Sequence, residues 1–246
     1  MTVTDDVWRV FLYALATAVA TGFGALPFAF VRDLSPRAMA LANAGAAGLM
    51  LGASIGLLAE GESVDPGATF VGALLGVGFV RLTQALLGDR EPEFGALRGA
   101  GARRVLLVLV VMTVHSFAEG VAVGVSFGGG EALATAITVA IAVHNVPEGL
   151  AIGAVLRPQG ASVLACAGWA VFSSLPQPVM AVPAYLFVRQ FAALLPYGLG
   201  FAAGAMVFLV LEELLPEAYA HEGAPRIALV AVVSTTAMLL FQQLLG

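Results

Sequence analysis

The sequence predicts an all-α, polytopic membrane protein of eight transmembrane helices, and three observations predict it. Of 246 residues, 60% are hydrophobic and only 11% are charged, against about 25% charged in an ordinary soluble domain. Apolar stretches long enough to cross a bilayer, about 20 residues each, recur along the whole chain. The segments between them are short, and a helix is the element that satisfies its own backbone in lipid.

The spans fall near 7–31, 38–60, 67–87, 104–127, 131–155, 161–188, 192–217 and 225–245. The first follows MTVTDDVW, an acidic start without the basic residues of a secretory signal, so it is kept as a helix. The second opens on GAAGLM (45–50) and ends at Glu60, Glu62 and Asp65, which form a solvated turn or an outer cation-attracting loop. The third leads into 88–103, where Asp89, Arg90, Glu91, Glu93, Arg98 and Arg103 form a charged segment too short to fold alone. The fourth and fifth carry ionisable residues at membrane depth. The sixth contains SSLPQPVMAVPAY, broken by Pro176, Pro178 and Pro183, and broken helices at the midplane line cavities. The seventh opens on FAAGAM (201–206) and holds Glu212 and Glu213, of which Glu213 is the candidate for an interior path. One transmembrane domain over residues 1–246 accounts for all of these.

GAAGLM and FAAGAM share Ala-Ala-Gly-x-Met 156 positions apart. With three spans before the central pair and three after, these helices enter the membrane from opposite sides. That is the pattern of an inverted repeat in a 3+2+3 order; chance similarity in Ala/Gly-rich helices is the competing explanation. Met50 and Met206 are read as packing residues. Gly-x-x-x-Gly spacings recur through the chain and predict close helix approach.

All 11 basic residues are Arg. One face of the membrane receives Arg32, Arg37, Arg81, Arg90, Arg98, Arg103, Arg104, Arg157 and Arg226, and the other only Arg9 and Arg189. By the positive-inside rule the first face is cytoplasmic and both termini lie on the extracytoplasmic side of the cell (inner) membrane. No basic cluster points to nucleic acid. The single Cys166 excludes an intrachain disulfide and a thiolate metal cluster.

Two strings in spans four and five carry the chemistry. HSFAEGVAVG (115–124) and HNVPEGLAIG (144–153) begin 29 positions apart and agree at five of ten places, both ionisable ones included. A His and a Glu four residues apart share one helix face. Isolated charges are expensive in lipid, so His115, Glu119, His144 and Glu148 make sense together as ligands around a divalent cation. Two nitrogens and two oxygens suit Zn²⁺, Fe²⁺, Mn²⁺ or Co²⁺ rather than Ca²⁺ or Mg²⁺. The competing reading is a pair of neutral acids in a proton path. Asn145 is a further ligand or a helix-to-helix hydrogen bond. Ser116, its counterpart, is a hydroxyl for packing or hydrogen bonding, and Gln177 offers its amide oxygen. Pro147 removes the helical partner of the Val143 carbonyl.

These residues resemble the ZIP (Zrt-, Irt-like) metal transporters, and within them the compact GufA-like branch. HSFAEGVAVG and HNVPEGLAIG carry most of the likeness, joined by SSLPQPVMAVPAY, AAGLMLGAS and AAGAMVFLVLEELLPEA. The resemblance implies a divalent-metal transporter, with zinc the foremost substrate and Fe²⁺, Mn²⁺, Co²⁺ or Cd²⁺ alternatives. It implies movement toward the cytoplasm by an elevator-like, alternating-access shift of a helix bundle against a scaffold, often in a homodimer. It places a first metal at His115, Glu119, His144 and Glu148. A second would be bridged by the glutamates, with Ser116, Asn145 and Gln177 beside it. Where this chain has Ser116 the family often has Asn, and where it has Gln177 the family often has Glu. One well-formed site is therefore expected, with the second weak or absent. The segment 88–103 also lacks the family's His cluster.

No G-x-x-x-x-G-K-[ST] string is present to bind ATP. The rival from another class is a membrane-embedded zinc-dependent hydrolase, which would use H-E-x-x-H or similar with a separate general base. No such string occurs, and the protein is read as a non-enzyme. A third reading is a proton-conducting bundle without metal.

Overall fold

A computed structural model describes residues 3–31, 34–87 and 100–245. Arg32, Arg90, Arg98 and the acidic Asp89, Glu91 and Glu93 lie outside the described residues. The described residues are helical nearly throughout. The elements are α1 (Val3–Phe23), α2 (Pro36–Val64), α3 (Pro66–Leu87), α4 (Ala100–Ser126), α5 (Glu131–Leu156), α6 (Val163–Ser173), α7 (Pro176–Gln190), α8 (Leu195–Leu209), α9 (Leu215–His221) and α10 (Ala224–Leu245). A π-turn, Val210–Leu214, joins α8 to α9. Large apolar side chains such as Trp8, Leu82, Leu164 and Leu244 stand on the outside of the bundle, which is the surface a bilayer covers.

Local chemistry sets the helix ends. Ser35 Oγ accepts from the Ala38 N–H (3.2 Å) with Pro36 in the first turn, and Ser162 Oγ accepts from Ala165 (3.1 Å). Asp65 Oδ1 accepts from Ala68 (2.9 Å). This residue of the outer acidic loop is therefore a helix cap. Gly130, at φ 113°, makes the tight reversal from α4 into α5.

The expected spans are recovered, with two interruptions. The sixth is two helices: the chain turns at Ser174 and Leu175, and Pro176 starts α7. Proline has no N–H to extend α6 and fits the first turn of a new helix. The seventh contains the π-turn, just before Pro216 in the first turn of α9. By contrast α5 runs unbroken through Pro147, and α7 through Pro183.

The helices pack in two groups. In one, α1 lies against α5, α6 and α7, and α4 against α5 and α7. In the other, α3 lies against α8, and α2 against α8, α9 and α10. The groups meet where α2 packs on α5 and α4 on α8. Met50 and Met206, from the two Ala-Ala-Gly-x-Met strings, are fully buried in one shared core with Ala47 and Ala203. Ion pairs close the helix ends. Glu222 Oε1 accepts from Arg226 (3.1 Å) and its other oxygen contacts Arg37 (2.6 Å), tying α10 to α2. At the ends of α1, α5 and α7, Arg9 pairs with Glu131 and Arg189 with Asp6.

Glycine sets how closely α1 and α5 approach. A methyl group at Gly149 would land on the backbone carbonyl of Thr21, and one at Gly24 on the backbone of Val146 and Leu150. Gly149→Ala is expected to separate these helices and destabilise the protein by about 1–3 kcal/mol. Gly168→Ala, at a position with nothing within 4 Å, serves as the neutral control. Thermal unfolding of the detergent-solubilised variants checks this; equal melting temperatures would contradict the packing.

Candidate metal centre

The two duplicated strings lie side by side on α4 and α5, and their polar residues turn inward. His115, Ser116 and Glu119 on α4, and His144, Asn145 and Glu148 on α5, are all buried, as is Gln177 on α7. The same strings explain the burial. Gly120, next to Glu119, lies against the backbone of Gln177, and Gly149, next to Glu148, against that of Thr21. Each carboxylate-bearing turn is thus clamped to a further helix, which leaves the acids no route to lipid.

One ligand atom from each of Glu119, His144 and Glu148 can be chosen so that all three lie within 4.8 Å of one another. His144 Nε2 and Glu119 Oε1 are 2.6 Å apart. His115 is buried one helical turn before Glu119 but stands outside that 4.8 Å group. Four further atoms are buried with no hydrogen-bond partner among the described residues: Glu148 Oε1, Asn145 Oδ1, Ser116 Oγ and His144 Nδ1. Buried polar atoms are ordinarily satisfied, and leaving one unsatisfied costs about 1–3 kcal/mol. A divalent cation is the partner that oxygen and nitrogen lone pairs of this kind accept. The donor set fits a borderline transition metal.

Gln177 departs from its expected role. Its Nε2, not its oxygen, faces the cluster and donates to Glu119 Oε2 (2.5 Å). Its Oε1 accepts from Thr17 Oγ1 (2.5 Å) and Asn145 Nδ2 (3.2 Å). Asn145 makes the helix-to-helix hydrogen bond, with Nδ2 also donating to the Thr17 carbonyl on α1 (2.8 Å), while its Oδ1 has no hydrogen-bond partner among the described residues. Thr17 and, beyond it, Thr21, whose hydroxyl lies 2.8 Å from that of Ser174, were not among the expected site residues. Their signal was present: two hydroxyls four residues apart on one face of an otherwise apolar span.

Glu213 lies apart from this cluster. It is half-buried in the π-turn and accepts from Gln84 Nε2 on α3 (3.1 Å), while Glu212 pairs with Arg81 at the surface (3.2 Å). A cavity of about 240 Å³ opens at the ends of α1, α5 and α7, lined by Asp6, Arg9, Phe127, Glu131 and Tyr185, and it does not include the cluster.

Comparison with known proteins identifies the family of the chain. The family described as ZIP Zinc transporter matches residues 95–242. The chain is 43% identical over 237 residues to the "Putative zinc transporter At3g08650" of Arabidopsis thaliana, covering 95% of this chain and 38% of that one. It is 35% identical over 221 residues to the zinc transporter GufA of Myxococcus xanthus, covering 84% of this chain and 87% of that one. It is 34% identical over 245 residues to the zinc transporter ZIPB of Bordetella bronchiseptica, covering 90% and 76%. The chain thus spans about two fifths of the plant protein's length and most of the two bacterial ones. It belongs to the ZIP zinc transporter family and is a multi-pass membrane protein.

A cation that satisfies the orphaned atoms stabilises the folded state by mass action. Zinc at about 100 times its dissociation constant is expected to add about 2.7 kcal/mol and raise the melting temperature of the purified protein. In Glu148→Ala the rise should be lost or much reduced. An unchanged rise would remove Glu148 from the site.

Proposed function

We propose that this ZIP family member moves a divalent transition metal, zinc foremost, across the membrane through the buried His/Glu cluster between α4 and α5. The observation that carries the reading is the convergence of ligand atoms of Glu119, His144 and Glu148 within 4.8 Å in a bundle whose buried side chains are mostly apolar. The relatives' names as zinc transporters support the choice of substrate; Fe²⁺, Mn²⁺, Co²⁺ and Cd²⁺ share the ligand chemistry. His115, one turn before Glu119, completes the first shell once a cation draws the side chains in. Asn145 contributes Oδ1, Ser116 its hydroxyl, and Gln177 acts through its hydrogen bond to Glu119.

The excess of Arg on one face supports an orientation with both termini on the extracytoplasmic side of the cell membrane and uptake toward the cytoplasm. The chain acts as one transmembrane unit, in the homodimer that the resemblance implies. The two helix groups support an elevator-like motion. The closest backbone approaches, such as Gly149 on Thr21, Gly120 on Gln177, Gly204 on Ala73 and Gly48 on Ala231, lie inside a group. Contacts between the groups run through side chains such as Val125 against Gly198. The seam also holds large side chains, with Phe79 stacked on Phe117 and Met50 and Met206 in one core with Ile137 and Ile141. A seam of side-chain contacts shifts more readily than one with interdigitated backbones. No observation favours the hydrolase reading, since the carboxylates of the strings belong to the cluster itself and none stands apart as a base.

Uptake of zinc into proteoliposomes is expected for the wild type and is expected to fall to background in Glu119→Ala and His144→Ala. Binding needs ionised Glu and neutral His, so protons compete with the metal, and uptake at sub-saturating zinc should weaken as the outside pH falls from neutral to mildly acidic. Equal uptake by all three proteins rejects the assignment; a flat pH profile rejects proton competition at the site.

A further inference from the structure

The hydrogen bonds around Gln177 form a chain whose direction is set from α1. It starts at the backbone carbonyl of Thr17, which can only accept. Asn145 must therefore turn its amide nitrogen to it, and does so at 2.8 Å. The same Nδ2 reaches Gln177 at 3.2 Å, so Gln177 must present its oxygen there. Thr17 Oγ1 lies 2.5 Å from that oxygen and 2.7 Å from the carbonyl of Ala14. A hydroxyl has one hydrogen. Both neighbours are acceptors, so that hydrogen serves the Ala14 carbonyl or Gln177 Oε1, and the shorter contact is the one to Gln177. The amide nitrogen of Gln177 is left at the other end, on Glu119 Oε2. Every residue in the chain is fully buried or nearly so: Thr17, Asn145, Gln177 and Glu119 are each 0% exposed. No water-facing alternative competes.

We propose that Thr17 is a positioning residue for the metal site. Through Asn145 and Gln177 it fixes one oxygen of Glu119 in a hydrogen bond and leaves the other, Oε1, toward His144 and the cation. The inference rests on the metal reading of the cluster. It gives Gln177 a definite part: a fixed N–H donor stands beside Glu119 where a second carboxylate would invite a second cation. It also gives α1 a direct share in metal affinity, although α1 contributes no ligand. Losing the hydroxyl leaves the amide oxygen with only the 3.2 Å bond to Asn145, so the amide keeps its direction but is held less firmly, and Glu119 with it. Positioning of this kind acts on binding rather than on the maximal rate.

The test is zinc uptake into proteoliposomes over a concentration range, with Thr17→Val, Thr17→Ser, Gln177→Met and the double variant Thr17→Val/Gln177→Met. Thr17→Val is expected to raise KM by about three- to tenfold, the size of one hydrogen bond to a buried polar group, with the maximal rate within about twofold. Thr17→Ser should restore the wild-type KM. In the Gln177→Met background, where no amide needs orienting, Thr17→Val should cost nothing further; a double-mutant cycle isolates such dependence. If Thr17→Val does not fold, Thr17→Ala removes the same hydroxyl and is read identically. The proposal is overturned by an unchanged KM in Thr17→Val, by failure of Thr17→Ser to restore it, or by the same penalty in both backgrounds, which would mark Thr17 as a packing residue. Glu119→Ala, run in parallel, separates the two levels. If it transports like the wild type, the metal reading itself falls; if it is inactive while Thr17 behaves as packing, only the positioning role falls.

Discussion

Two carboxylates and an imidazole share a space less than 5 Å across in the middle of a bundle whose other buried residues are mostly Ala, Gly, Leu and Ile. Charges of like sign repel strongly where the dielectric is low, and burying an unpaired carboxylate costs several kcal/mol. Glu119 is relieved by a direct contact to His144 and by the Gln177 amide. Glu148 retains an oxygen without a hydrogen-bond partner among the described residues. A protein that needed only a stable bundle would place Leu or Ala at these positions. The arrangement makes physical sense as a site whose satisfaction is completed by something that arrives and leaves, which is the requirement on a transported dication.

The rest of the transmembrane structure follows from holding that cluster. Helices α4 and α5 supply the ionisable groups, but neither could keep them in place alone. The glycine after each Glu brings a third and a fourth helix into backbone contact, α7 at Gly120 and α1 at Gly149. The proline pair in span six then matters for position rather than for coordination. By ending α6 at Ser173 and restarting the helix at Pro176, it sets Gln177 in the first turn of α7, facing Glu119. Neighbouring Ser174, in the turn itself, pairs with Thr21 of α1.

Much of this was legible in the sequence because membrane depth makes polar residues rare and therefore informative. Eight apolar runs foretold the helices, the duplicated His-x-x-x-Glu strings foretold which two would carry the cluster, and the Gly-x-x-x-Gly spacings foretold close contact without naming the partners. Two things were not legible. The orientation of the Gln177 amide depends on which donors surround it, and those come from Asn145 and from Thr17, 160 positions away. The unequal effects of proline were also hidden: Pro176 ends a helix, while Pro147 is carried inside one. Residue type alone does not separate these outcomes, since neighbouring helices decide whether a lost N–H is tolerated.

The position of the cluster within the two helix groups bears on how a cation could be released. Glu119, His144, Glu148 and Gln177 all belong to the group of α1 and α4–α7, and α4 and α5 are also the helices through which that group touches α2 and α8. A site divided between two bodies would lose half of its ligands whenever they moved apart, and the cation would be left with the remainder. A site held by one body keeps its ligands together through such a motion, and what changes is the surface against which they are covered. The polar chain from Thr17 to Glu119 lies inside that same body and would travel with it unbroken. On this arrangement the affinity of the site can stay nearly constant during transit. Under the proposed motion, release would be governed by access and by proton competition for the exposed ligands rather than by dismantling of the coordination shell.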